Sequence, residues 1–281
     1  MVYFDKAQVT VNGTGILADS VSIASTNALI PIYSLGKKGM GSQEPDGPIE
    51  NQISLSYYLD LGREPIFPLL NTIKSITGIY SGITLSIANV TGLRCYLTKY
   101  QLVSTPNTLC KVNASFVSFH SLTGSLASRP LGIYPDADFS GRLAMGWTTH
   151  PISLTSYQTS PIYNLNYSFN AEWEPIYILG QGDPFEIQFL NGEEEIEIIK
   201  DTFKVVQLTG EELVQNSSSA AINTNGNDPL INLYGYKLIS DNTLTSPTLN
   251  INISGAEILR SNITSEVDNY IRNTIIAKKY F

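Results

Sequence analysis

Histidine and cysteine are nearly missing from this chain, which holds two of each in 281 residues. His120 and His150 stand far apart, and neither has a second ligand type at the two-to-five-residue spacing of a zinc site. They read as a strand histidine and a loop histidine. Cys95 and Cys110 are too few for a disulfide framework. They read as buried free thiols on neighbouring strands. No stretch approaches ~18 uninterrupted apolar residues, so no membrane span is expected. The opening residues, MVYFDKAQVTVNG, have no apolar core of signal-peptide length, which predicts no secretory leader. Asn-x-Ser/Thr triplets such as Asn89 and Asn113 then carry no glycosylation meaning. Charge is also scarce, 15% of residues against the usual ~25%. The net charge of −8 and the lack of any Lys/Arg cluster beyond Lys37-Lys38 and Lys278-Lys279 exclude a phosphate-tracking grip on nucleic acid. An acidic surface repels phosphate, which suits a wall that DNA slides past.

Signatures of chemistry are missing too. There is no Gly-x-Ser-x-Gly elbow. The stretch Gly36 to Gly47 is glycine-rich but lacks the Gly-Lys-Ser/Thr ending of a phosphate loop, and reads as a long mobile or interface loop. Asp136-x-Asp138 is too short for a calcium loop. The strongest charge feature is Glu193-Glu194-Glu195 with Glu197. Alternation puts Glu193, Glu195 and Glu197 on one face, which reads as a solvated sheet face or a negatively charged wall. No catalytic, cofactor-binding or metal site is expected, and the chain is not expected to be an enzyme.

What the sequence does hold is strand-forming material, with abundant Ile, Ser, Thr and Asn and 16 tyrosines against 2 tryptophans. It also holds a repeat. Pro31, Ile32, Tyr33, Leu35 and Gly36 return as Pro175, Ile176, Tyr177, Leu179 and Gly180 at a constant offset of 144. Asp46-Gly47 returns as Asn191-Gly192, and both read as turns between alternating runs. Tyr100-Gln-Leu-Val-Ser104 resembles Tyr236-Lys-Leu-Ile-Ser240, and Val112 to Ser115 resembles Ile251 to Ser254. This length is far from a solenoid period and points to a duplicated domain.

Strands are expected over Ala7–Val11, Leu17–Ile23, Leu29–Leu35, Ile49–Leu59, Ile83–Ile87, Arg94–Val103 and Leu109–Phe119. Between them, Glu64 to Ser75 changes period: Ile66, Leu69, Leu70 and Ile73 make one helical face, with Pro65 at the first helical position. The second half offers strands at Leu143–Thr149, Pro161–Phe169, Pro175–Leu179, Phe185–Leu190, Glu194–Lys200, Val205–Leu208, Leu230–Ile239 and Leu249–Leu259. Gly210 to Val214 is helix-capable. Ser265–Lys279 fits either a helix, through the spacing of Val267, Ile271 and Ile275, or a strand. The fold class expected is mainly β: two tandem antiparallel β-sandwich or barrel domains, 1–130 and 142–281, with a flanking helix in the first.

The frame running through Glu174-Pro175-Ile176-Tyr177-x-Leu179-Gly180 to Asn191-Gly192, and its first copy from Pro31, resembles the tail tube proteins of bacteriophages. The resemblance covers about a third of each half and rests on a short motif. It implies a β-sandwich or half-barrel with a flanking helix, subunits that join sheets into a continuous inner barrel, and rings that stack through long loops. Tandem copies imply a homo-oligomeric ring, a trimer with pseudo-sixfold symmetry or a hexamer. The implied role is a structural virion protein of the phage tail, assembled in the host cytoplasm, whose partners are itself, other tail proteins and genomic DNA passing without specific binding. Alternatives are a tail hub, baseplate or neck adaptor ring, and a carbohydrate-binding adhesion module. The second half shows no clear counterpart of the helix at Glu64 to Ser75.

Overall fold

The computed structural model describes residues 7–26, 29–33, 35–36, 38–45, 49–59, 64–76, 80–87, 90–105, 110–124, 162–179, 183–202, 230–233, 249–252, 257–264 and 271–281. The fold is mainly β, antiparallel, with one helix among the described residues. In the first half the strands are β1 (Ala7–Val11), β2 (Thr14–Thr26), β3 (Leu29–Ile32), β4 (Ser42–Pro45) and β5 (Glu50–Tyr58). Helix α1 (Phe67–Lys74) follows, then β6 (Ile83–Ile87), β7 (Val90–Ser104), β8 (Lys111–Ser118) and the short β9 (Thr123–Gly124). Later come β10 (Ile162–Ile176), β11 (Glu186–Thr202), β12 (Leu230–Leu233), β13 (Leu249–Asn252), β14 (Glu257–Thr264) and β15 (Ile271–Tyr280).

Pairing closes a ring. β1 pairs β2, β2 pairs β5, β5 pairs β8, β8 pairs β7, β7 pairs β6, and β6 returns to β1, all antiparallel. Period-2 alternation explains the filling of this six-stranded barrel. Ile53, Leu55 and Tyr57 of β5 face inward opposite Phe116, Ala114 and Val112 of β8. Val9 and Val11 face Ile87 and Leu85 across β1 and β6. Gly82 sets up the entry to β6. It holds φ +72°, and a Cβ there would stand 2.9 Å from the Arg94 Cα.

β7 outlasts its partner β6. The β6 ladder ends at Ile83 opposite Cys95, and from Lys99 to Ser104 the same edge of β7 pairs with β10. A bulge between Leu97 and Lys99 marks the switch, and the Leu97 carbonyl there accepts the Trp173 indole N–H at 2.8 Å. From β10 the sheet runs on through β11 and β15 to β14, so strands of both halves share one eleven-stranded sheet. Leu165, Tyr167, Phe169, Ala171 and Trp173 of β10 belong to the same buried core as the barrel. β12 and β13 pair separately.

Helix α1 covers the inner face where barrel and extension meet. Leu70 and Ile73 are buried, as the apolar period requires. The Phe67 ring lies 6.2 Å from that of Tyr100 on β7 and 6.5 Å from that of Tyr167 on β10. The helix starts later than Pro65 predicts. Ile66 holds the N-cap position and Pro68 is the first-turn proline. The Glu64 carboxylate explains the start: it accepts the Ile66 and Phe67 N–H groups at 3.2 and 3.0 Å and the Tyr57 hydroxyl at 2.8 Å. At the other end Lys74 pairs with Glu194 of β11, a carboxylate only 2% exposed that also accepts the Tyr167 hydroxyl at 2.6 Å. Burial holds the phenols of Tyr57, Tyr100 and Tyr167 well above the ordinary tyrosine range.

The pairings change several expected elements. Pro161–Phe169 and Pro175–Leu179 are not two strands; the described part is the single strand β10, and Phe185–Leu190 and Glu194–Lys200 likewise merge into β11. Asn191-Gly192 is therefore not a turn. Glu172 pairs Asn191 and Trp173 pairs Phe189, so Leu190 is bulged out of a continuous strand. The glycine serves close approach instead: a Cβ on Gly192 would meet the Phe281 ring at 2.5 Å, and the two backbones exchange hydrogen bonds of 3.0 Å. The ambiguous Ser265–Lys279 stretch contributes the strand β15 from Ile271. Leu143–Thr149, Val205–Leu208, Gly210–Val214 and His150 lie outside the described residues.

Removing the cation above Glu194 strands a buried carboxylate. Lys74→Met is expected to cost about 3 kcal/mol, the low end for a broken buried pair because Lys74 keeps some exposure. Adding Glu194→Gln, which keeps an acceptor for Tyr167, is expected to restore more than half of that loss in urea unfolding.

Candidate assembly surfaces

Both copies of the repeated motif fold into the same object, the tip of a long hairpin. β3 and β4 pair as Leu29↔Pro45, Ile30↔Glu44, Pro31↔Gln43 and Ile32↔Ser42. β10 and β11 pair as Trp173↔Phe189, Glu174↔Gln188, Pro175↔Ile187 and Ile176↔Glu186. Every one of these pairs is the other shifted by 144. The loops close identically: Gly41 N–H donates to the Ile32 carbonyl at 2.8 Å, and Phe185 N–H donates to the Ile176 carbonyl at 2.8 Å. Leu35 and Leu179, equivalent positions, are both fully exposed at the loop tips. The Gly36 to Gly47 stretch is thus not loop throughout, because β4 occupies Ser42 to Pro45. Beyond the tips the registers diverge. Thr26 pairs Glu50, whereas its equivalent Asn170 pairs Glu193, one residue out of step with the shift of 144; Leu190 is bulged in the second hairpin, and Asp46-Gly47 of the first lies outside the described residues.

The tips differ in surroundings. Tyr33 is 71% exposed. Its equivalent Tyr177 is half-buried, and burial, then Asp183, then Glu50 raise its phenol pKa. Asp183 of the same loop also acts on His120. The second tip therefore lies by the barrel rim, where Asn51 Nδ2 donates to the His120 carbonyl at 2.7 Å and Arg94 Nη1 stands 3.3 Å from His120 Nε2. A guanidinium only donates, so Nε2 accepts and the neutral ring carries its proton on Nδ1. Burial lowers the His120 pKa; Asp183 opposes that and Arg94 adds to it. His120 follows β8 in a bend rather than in a strand.

The second surface is the polar face of the sheet, opposite α1. Residues paired across antiparallel strands share a face, which aligns Ser54 with Ser115 and Lys99, then Asn170 and Glu193. The parallel row holds Asn113, Gln101, Ser168, Glu195 and Lys278. Side chains bond along it: Ser54 with Ser115 at 3.3 Å, Gln101 to Asn166 at 3.1 Å and Asn170 to Glu193 at 2.9 Å. Lys278 reaches Glu193 at 2.6 Å and Glu195 at 4.0 Å. Its hydrogen bond lowers the Glu193 pKa. The row of glutamates is thus partly neutralised rather than a bare negative wall. The sequence displays both the glutamates and Lys278 but not their proximity, because Lys278 meets them only through the β11–β15 register.

Cys95 and Cys110 are buried free thiols, raised by burial to about 11. Cys110 lies 3.0 Å from the Ser104 hydroxyl. Among the described residues no group of three His, Cys, Asp or Glu side chains could hold a metal ion, and no helix is long and apolar enough to cross a membrane. Asp136 and Asp138 lie outside the described residues. No protein-family model matches the chain, and no curated protein matches it.

Two outcomes follow from these geometries. Leu35→Ser and Leu179→Ser, at fully exposed sites, are expected to change unfolding stability by less than about 0.5 kcal/mol, read by thermal denaturation. The His120 ring is expected to titrate below its ordinary value of 6.5 in an NMR pH series. Its neutral form then adds stability above pH ~6.5 that is lost as pH falls through the lowered folded-state value.

Proposed function

We propose that this chain is a structural virion protein of a phage tail, assembling with copies of itself into stacked rings that form a DNA-conducting tube. One observation carries the reading: a wide sheet, packed on one face under α1 and polar on the other, bears two matching hairpins with exposed apolar tips. The tips offer apolar area that a stacked or neighbouring copy covers, since Tyr33, Leu35, Ile178 and Leu179 all stand exposed. The polar face is rich in Ser, Asn and Gln, and its Lys278 is engaged by Glu193 and Glu195. Lys99 is the exposed lysine of the row that runs to Asn170 and Glu193, a single charge rather than a basic track, which suits DNA that passes without being held.

Two tandem domains, 1–130 and 142–281, belong to this proposal. The matched registers of the hairpins favour it, and three chains would then present six similar tips. A trimer with pseudo-sixfold symmetry and a hexamer both fit. A hub, baseplate or neck adaptor would use the same surfaces in a single ring. The adhesion reading has less support, because the aromatic cluster of Trp173, Tyr96 and Phe189 is packed within the fold, Trp173 lying 5.0 Å from Tyr96 and 5.3 Å from Phe189.

Negative-stain imaging of the purified chain is expected to show tubes or stacked rings. Replacing residues 34–39 by an Asn-Gly turn is expected to abolish stacking with an unchanged circular dichroism spectrum. Wild-type protein that stays monomeric at every concentration sinks the proposal, and isolated rings that never stack turn it toward a hub or adaptor.

A further inference from the structure

The dipeptide Asn-Gly occurs twice among the described residues, and the fold treats the two copies oppositely. Asn191-Gly192 lies inside β11. Asn191 Nδ2 donates to Glu172 Oε2 at 2.7 Å, and the Gly192 N–H donates to the Phe281 carbonyl at 3.0 Å. Gly192 pairs Ala171 on its other edge, so this backbone is held from both sides. Asn12-Gly13 instead forms the two-residue turn between β1 and β2, whose ladder ends at Val11↔Thr14. Both residues are exposed, with φ of +48° and +83°, the left-handed pair that Asn-Gly supplies to such hairpins. A Cβ on Gly13 would meet nothing within 4 Å, so the turn stands clear of the fold. The Asn12 side chain is nevertheless placed. The Thr84 N–H donates to its Oδ1 at 3.0 Å, and the Asn12 N–H donates to the Thr84 carbonyl at 2.9 Å. These bonds add one step to the β1–β6 ladder of Val9↔Ile87, Thr10↔Ser86 and Val11↔Leu85, the shortest seam in the barrel.

We propose that Asn12 is a modification site: it deamidates through attack by the Gly13 nitrogen, and the isoaspartyl product unfastens the β1–β6 seam. The Gly13 N–H gives its proton to solvent base, and the nitrogen bonds to Asn12 Cγ. The Cγ–Nδ2 bond breaks and ammonia leaves. Water then opens the five-membered imide at either carbonyl, giving aspartate or isoaspartate. Glycine offers no Cβ to obstruct the approach. Negative charge builds on Oδ1 during the attack, and the Thr84 N–H already points at that atom, as the donors of an oxyanion hole do. At Asn191 the same attack has to break the Gly192–Phe281 bond and bend a strand held on both edges. Aspartate at position 12 keeps an acceptor for the Thr84 N–H. Isoaspartate does not, because its backbone runs through Cβ: the turn gains one atom, and the oxygen that Thr84 used moves away from it. The site is independent of the assembly proposed above.

The test ages the full chain at mildly alkaline pH, once folded and once in urea, and follows each site by peptide mapping with mass spectrometry. In urea the two dipeptides are expected to deamidate at similar rates. In the folded chain Asn12 is expected to keep at least about a third of its urea rate, while Asn191 slows at least tenfold. Folded Asn12 slowed as much as Asn191 overturns the inference. Hydrogen exchange reads the consequence. The Thr84 amide is expected to exchange at least tenfold faster in the separated isoaspartyl chain than in fresh protein. Asn12→Asp, which adds the charge but not the extra backbone atom, is expected to leave that amide protected. An isoaspartyl chain with Thr84 still protected overturns the claim on the seam, and so does an Asn12→Asp chain that loses protection equally.

Discussion

The ladder between β7 and β10 is the constraint on which the rest depends. β7 is fifteen residues long, Val90 to Ser104, and uses that length for two sheets in succession. Its first part closes the barrel against β6; its second part carries β10, and through it β11, β15 and β14. The bulge at Leu97 to Lys99 lets one strand change neighbours without leaving a buried carbonyl empty, because the Trp173 indole takes it. Helix α1 then has a floor to pack on, made of Tyr100 from the barrel and Tyr167 from the extension.

Polar contacts fix the helix at both ends, while Leu70 and Ile73 supply the apolar contact between them. Glu64 caps the start and holds Tyr57; Lys74 near the finish meets Glu194. Directional bonds of this kind select one seating of a short helix over sliding alternatives that bury similar area. The face away from the helix is set by the same pairing registers, since each inward residue of β10 and β11 places its neighbour outward.

Much of this was legible in the sequence because alternation is local. Ile49 to Leu59 announces β5, and Ile66, Leu69, Leu70 and Ile73 announce α1, through spacing alone. The offset of 144 marks the two hairpin tips before any coordinates. What escaped was decided by contacts distant in sequence. Asn191-Gly192 has turn chemistry, yet Phe281, ninety residues on, occupies the space that makes glycine necessary there. The break expected after Phe169 vanished because β7 pairs β10 as far as Asn170 and β11 carries it on through Ala171 to Trp173. Lys278 could not be set beside Glu193 without knowing that β15 lies next to β11. The sharing of one sheet by strands from both halves was equally invisible, since a repeat indicates likeness and not adjacency.

The ion pair beneath α1 carries a consequence for synthesis. All six barrel strands lie within the first 118 residues, so the ring can close while the chain is still being made. The helix cannot be locked at that stage, because Glu194 and Tyr167 have yet to leave the ribosome. Until they do, Leu70 and Ile73 rest against a floor of which only the Tyr100 side exists. A nascent chain therefore passes through a period with a finished barrel and an unfastened cover, and the acidic strand that arrives some 120 residues after the helix is what ends it.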